Sequence, residues 1–145
     1  MTSKSALVEW CTRQLDVIGS ILSNALNDEN LDRFVPRVHI MSSKFSFFVN
    51  SFTKHCNRTD DEVIHVIRLL TLLATRVKDF IDTAKEKHEN DQYVVNQLNL
   101  FLNSFVEGCE RVAGDKFELY FWNIFNKKSA LTNIPSNNPY IIHCI

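Results

Sequence analysis

From Leu7, apolar residues recur at Cys11, Leu15, Ile18, Leu22 and Leu26, in steps of four, four, three, four and four, which draws one stripe along a helix. Asn27-Asp28-Glu29-Asn30 then supplies the turn-forming and capping residues that end it. Pro36 fits a first helical turn, where its missing N–H costs nothing, and Val38, Met41, Phe45, Phe48, Val49 and Phe52 follow at helical spacing. The pattern predicts a second helical region from about Leu31 to His55, with room for an interruption. The clustered aromatics and Val of Phe45 to Val49 also suit a strand. Cys56 to Glu62 reads as a loop closing on a helix start, because Thr59 and Glu62 have the spacing of a capping box.

Nine of the twelve residues from Val63 to Ala74 are apolar, which predicts a central helix packed on several sides. His65, Arg68 and Thr71 interrupt it at intervals of three and so share one narrow polar strip. The helix turns amphipathic through Val77, Phe80 and Ile81 before the charged run Lys85 to Asp91. Val94, Leu98, Phe101, Phe105, Cys109 and Val112 mark another helix, with Gly114 placed to end it. Phe117, Leu119, Tyr120, Phe121, Trp122 and Phe125 make a short aromatic helix, and Ser129 to Ile145, with Pro135 and Pro139, reads as an irregular tail. No internal repeat and no low-complexity tract stands out. The expected organisation is one all-α domain over 1–128, a helical bundle around a central apolar helix hairpin, followed by the tail at 129–145.

Composition supports this reading. Three glycines and three prolines in 145 residues are too few turn formers for a many-stranded sandwich or barrel. A chain of this length can bury about 68–70% of its unfolded surface, enough for a core that needs no metal or disulfide. Sixteen basic against seventeen acidic residues leave a net charge of −1, with no global field to gather nucleic acid or an anionic membrane. The N-terminus runs straight into an amphipathic segment without an apolar signal core, so the four cysteines are expected as free thiols in a reducing compartment. The stretch from Val63 to Ala74 contains His65 and Arg68 and falls short of the ~20 residues of a membrane span, so no integral membrane anchor is expected.

Catalytic chemistry finds little purchase. No glycines have the spacing of a phosphate-cradling loop. His55-Cys56 and His143-Cys144 carry zinc-type donors, but adjacent side chains diverge and no Cys-x-x-Cys spacing supports closure. Cys11 and Cys109 fall on apolar stripes, where a thiol serves as a small hydrophobe. Asp28-Glu29 and Asp60-Asp61-Glu62 stand at expected helix starts, where capping accounts for them. An enzyme is therefore not expected, nor a cofactor. Arg68 is the exception that asks for an explanation: a cation in a nearly all-apolar helix faces water along an edge, pairs with an acid such as Asp32 or Asp61, or lines a groove that selects an acidic residue on an incoming helix.

An apolar helix, a second long helix antiparallel to it and a short aromatic helix after a Gly together resemble the Bcl-2 family of apoptosis regulators. That family begins its core hairpin with Asn-Trp-Gly-Arg and a long apolar run; His65-Val66-Ile67-Arg68-Leu69-Leu70-Thr71-Leu72-Leu73-Ala74 keeps the Arg and the run without the Asn-Trp-Gly. About fifty residues on, the family has Gly-Gly-Trp-Asp-Ala-Phe-Val-Glu-Leu-Tyr, and Ala113-Gly114-Asp115-Lys116-Phe117-Glu118-Leu119-Tyr120 stands at nearly that distance. The resemblance spans about Ala6 to Phe125 and is greatest to the divergent viral members, from poxviruses or iridoviruses. Leu31 to Val35 lacks the Leu-x-x-x-Gly-Asp signature of the family's second helix, which fits a sequestering rather than a killing role.

By that resemblance the chain would be a viral inhibitor of apoptosis, cytoplasmic in the host cell or peripheral at mitochondria. It would bind the helical Bcl-2-homology-3 (BH-3) segments of pro-apoptotic proteins in a hydrophobic groove. Arg68 would pair with the peptide's Asp, beside His65 and Thr71, and Phe45, Phe48, Phe52, Leu69 and Leu72 would line the groove. Ile67 stands where the family has Gly, which implies a narrower groove and selective binding. Alternatives remain open: a Bcl-2-like fold that binds innate-immune signalling proteins of the NF-κB pathway through another helix face, a structural helical module, or a homodimer.

Overall fold

The computed structural model describes residues 5–125 apart from 29 and 56, and all regular structure among them is helical. Four long helices, α1 (Ala6–Leu26), α2 (Leu31–Thr53), α3 (Asp60–Lys87) and α4 (Gln92–Ala113), are followed by a 3₁₀ turn at Gly114–Lys116 and a short α5 (Phe117–Phe125). No helix among them is long and apolar enough to cross a membrane. The tail expected at 129–145 lies outside the described residues.

Local chemistry sets the boundaries. Ser5 caps α1 by accepting from the Val8 N–H at 3.3 Å. The Thr59–Glu62 capping box forms as its spacing implies: the Thr59 hydroxyl accepts from the Glu62 N–H at 3.2 Å, and the Glu62 carboxylate accepts from the Thr59 N–H at 2.9 Å. α3 therefore begins at Asp60, and its charged Lys85 to Lys87 belong to the last turn, where cations suit the carbonyl end of the helix dipole. Asp91 caps α4 from the side chain, and Gly114 ends it at φ +57°, a conformation that glycine adopts freely.

α2 starts at Leu31, as its pattern predicts, but Pro36 falls elsewhere than expected. Asn30 caps it by accepting from the Asp32 N–H at 2.8 Å, so the helix begins five residues before Pro36 and the proline sits in the second turn. There its ring removes the bond that residue 36 would have given to the carbonyl of residue 32, on a face where Asp32 and Pro36 are exposed and water can replace it. No break or strand follows: α2 is one helix, Phe45 to Val49 included.

The helices pack as two hairpins. α1 lies against α2 and α3, and α4 lies against α2 and α3, so the order around the bundle is α1, α2, α4, α3. Side-chain bonds give the directions. Ser5 donates to Glu62, and Arg76 donates to the Gly19 carbonyl at 3.0 Å, both pairs 57 residues apart, so α1 and α3 run parallel. His39 meets Gln97 at 2.7 Å and Arg111 reaches Thr53, both pairs 58 residues apart, so α2 and α4 run parallel too. The hairpin α3/α4 is thus stacked on the hairpin α1/α2 in the same sense, and the burial pattern repeats. Buried Val8, Leu15 and Ala25 correspond to buried Ile67, Ala74 and Ala84, and Phe34, Phe45 and Phe52 to Val94, Phe105 and Val112. No residue repeat reveals this, because it is carried by where the apolar positions fall and not by their identities.

The core is aromatic. Phe45 of α2 stacks on Phe105 of α4 with centroids 4.3 Å apart, closer than the Phe48–Phe45 and Phe48–Phe52 neighbours at 6.0 Å. Gly108 permits that approach, since a Cβ there would run into the Phe45 ring. α5 lies on α3 and α4 with Phe117, Phe121 and Phe125 buried, and Phe125 meets Phe105 edge-on at 6.3 Å. α3 is packed on three sides, by α1, α4 and α5, rather than all round.

Candidate functional site

The fourth side of α3 is the candidate site. Its core face is built from Val66, Leu70, Leu73, Val77 and Ile81. His65, Arg68 and Leu72 follow one another in steps of three and four on the opposite side, and all three are exposed. Leu69 and Thr71 stand half-buried at the two margins of this face. Leu72 is 68% exposed, a large apolar side chain set directly among polar ones.

The strip rests on a fixed frame. At one end Glu62 accepts from Ser5, and at the other Arg76 donates to the Gly19 carbonyl and, at 2.7 Å, to the Ser23 hydroxyl, so α1 clamps α3 on both sides of Arg68. Within the strip the Thr71 hydroxyl donates to the Arg68 carbonyl at 2.6 Å and the Thr75 hydroxyl to the Thr71 carbonyl at 3.0 Å. Those bonds occupy hydroxyls that would otherwise face a ligand. The guanidinium of Arg68 has no ion pair or side-chain hydrogen bond among the described residues, in contrast to Arg76. Of the three explanations the sequence left for this cation, the exposed edge is the one the structure bears out, and pairing with Asp32 or Asp61 does not occur.

Phe45, Phe48 and Phe52, expected at a groove, are placed otherwise. All three are buried in the core between α1, α2 and α4, at 2%, 0% and 0% exposure, and line no surface. The reason is the register of α2: these positions share a face with Phe34, Val38 and Met41, and that face meets α4. The structure therefore brings His65, Arg68, Leu69, Thr71 and Leu72 together on α3 and separates them from the three phenylalanines.

A cleft of about 600 Å³ opens elsewhere, at the end of the bundle where Thr53, Arg58, Asp60, Arg111 and Gly114 converge. Its cations already have structural work. Arg58 donates to the Phe52 and His55 carbonyls and lies 5.1 Å over the Phe52 ring, closing the C-terminus of α2. Arg111 donates to Thr53 at 3.4 Å.

The two described thiols, Cys11 and Cys109, are poor nucleophiles. Burial, helped by the nearby charge of Glu62, pushes the Cys11 thiol up to about 12, and burial pushes Cys109 well above its ordinary value, with Glu110 acting in the same direction. Both are core residues. Cys56, His143 and Cys144, weighed as zinc donors, lie outside the residues whose side chains are described.

Two features escaped the sequence reading. Arg76, which ties α3 to α1, is one more charged residue in a charged turn until Gly19 is seen opposite it. Trp10 stacks on Phe48 at 5.9 Å and tilts against Phe47 at 6.4 Å. Its signal was available: Trp10, Val17 and Ile21 lie off the main stripe of α1, at helical spacing of their own. No family model, curated protein or solved structure matches this chain.

Proposed function

We propose that the protein is a helical interaction module of Bcl-2 type that holds BH-3 segments of pro-apoptotic proteins on the outer face of α3. The observation that carries this reading is Arg68: an exposed cation with no ion pair among the described residues, beside exposed Leu72 and half-buried Leu69, on a helix clamped at both ends. An amphipathic helix laid across this face buries apolar side chains on Leu69 and Leu72 and brings a carboxylate to Arg68, with His65 beside it. Clamping of α3 by α1 lowers the ordering cost of binding, since the receptor helix is already positioned. The sequence from His65 to Ala74 and from Ala113 to Tyr120 that resembles the family supports the same reading. No catalytic step is involved, and the site uses no cofactor.

Burial of Phe45, Phe48 and Phe52 favours a second reading. With those rings committed to the core, binding falls to outer helix faces, as in Bcl-2-like modulators that engage innate-immune signalling proteins of the NF-κB pathway. The test is a titration of the purified chain with a panel of fluorescent BH-3 peptides, each paired with a control carrying Asp→Ala. Submicromolar binding that the control loses supports the first reading. Absence of binding across the panel rejects it and leaves the second.

A further inference from the structure

The exposed face of α3 does not end at Leu72. Thr75 and Asp79 continue it in steps of three and four, and both are exposed. Arg68 and Asp79 are eleven residues apart, three turns with about 20° of rotation left over, so the two charges share one face ~16 Å apart along the axis. Neither makes an ion pair among the described residues. The other charges of this stretch are committed elsewhere. Arg76 donates to the Gly19 carbonyl and the Ser23 hydroxyl of α1, and Lys78 holds Asp82 at 2.8 Å on a half-buried side of the helix.

Arg68 and Asp79 therefore stand as a cation and an anion at the two ends of a strip with exposed Leu72 and Thr75 between them. The opposite direction along α3 is different. Between Arg68 and Asp61 the exposed residue of the face is His65, no apolar side chain is exposed, and Asp61 stands in the first turn, where an acid serves the helix N-terminus. Apolar contact next to Arg68 is thus on offer toward Asp79.

We propose, resting on the reading of α3 as the face that receives a BH-3 helix, that the partner carries a basic residue three turns from the acid that meets Arg68, and that this base pairs with Asp79. Charge complementarity selects this occupant. A partner acidic at both places sets like charges against Asp79, and one basic at both does so against Arg68. An acid and a base at three-turn spacing satisfy both ends while the apolar residues between them cover Leu72. The span also fixes the angle. Helices that cross at about 50° diverge by ~9 Å at ~8 Å from the crossing point, too far for the end charges to meet, whereas at about 20° they diverge by ~3 Å. The partner accordingly lies close to the direction of α3. Pairs at such exposed positions contribute more to partner choice and orientation than to affinity.

The test uses one BH-3 peptide long enough to carry three turns on both sides of its acid. The residue eleven positions from that acid, first on one side and then on the other, is set to Lys, Ala or Glu, and each form is titrated into the full chain and into Asp79→Lys. On one of the two sides the wild-type chain should bind the Lys form about three- to fivefold tighter than the Glu form at low ionic strength, with the difference shrinking in salt. Asp79→Lys should reverse that order and leave the thermal midpoint in place. Peptides that bind through their acid but ignore the charge three turns away overturn the proposal and leave the reading of the α3 face intact. An Asp79→Lys chain that keeps the wild-type order does the same. Absence of binding by every form rejects both.

Discussion

Phe45, Phe48 and Phe52 on α2 and His65, Arg68 and Leu72 on α3 are both triplets in steps of three and four, yet the first is sealed in the core and the second faces solvent. Spacing assigns residues to one face of a helix; the neighbouring helices decide whether that face is inside. α2 turns its triplet toward α4, where Phe105 and the gap at Gly108 receive it, whereas α3 spends its apolar face on α1, α4 and α5 and leaves the triplet over. The inner triplet should therefore control stability and the outer one binding.

The sharpest way to break that contrast is Phe48→Ala. Phe48 is fully buried and touches the Phe45, Phe52 and Trp10 rings, so its truncation removes transfer energy and leaves a cavity, an expected loss of ~3–5 kcal/mol in urea unfolding. A loss under ~1 kcal/mol would show that Phe48 is not in a packed core. Gly108→Ala comes next. The added methyl meets the Phe45 ring and Val49, and overpacking should cost ~1–3 kcal/mol, relieved in part by Phe45→Leu in a double-mutant cycle.

The frame of the outer triplet gives a smaller, pH-dependent effect. Hydrogen bonds from the Ser5 hydroxyl and the Thr59 N–H hold the Glu62 carboxyl below its ordinary value. A depressed folded-state value means that the stabilisation is fully present above the unfolded Glu value of ~4.3 and is lost as pH falls through the folded value. Glu62→Gln should therefore melt below wild type at neutral pH, and the gap should close in acid. A gap that persists at low pH would mean that packing, and not the charge, is what the substitution removed.

Much of this was legible from the chain alone, for local reasons. The stripes of α1 and α4 and the Thr59–Glu62 box depend on residues within a turn or two of one another, and they stand as their spacing implies. In α2 the start at Leu31 is as expected and Pro36 is not, lying in the second turn instead of the first, because the Asn30 cap and not the proline sets the helix start. The direction of the Phe45 triplet, the Arg76 bond to α1 and the stacking of two hairpins depend on residues more than about fifty positions apart, and no local pattern encodes those pairings. For the site, the strip on α3 was legible and its partners were not: Arg68 stands out in an apolar run, but that no described acid pairs with it is a property of the assembled bundle.

The central claim is that Arg68 serves binding and not folding. Its most direct test is Arg68→Ala, measured for thermal stability and for affinity to a BH-3 peptide that the wild-type chain binds. The expected result is stability within ~0.5 kcal/mol of wild type, as for an exposed unpaired side chain, with affinity reduced about tenfold or more for the peptide and hardly at all for its Asp→Ala control. Unchanged affinity, or an affinity loss that merely follows a loss of stability, would contradict it.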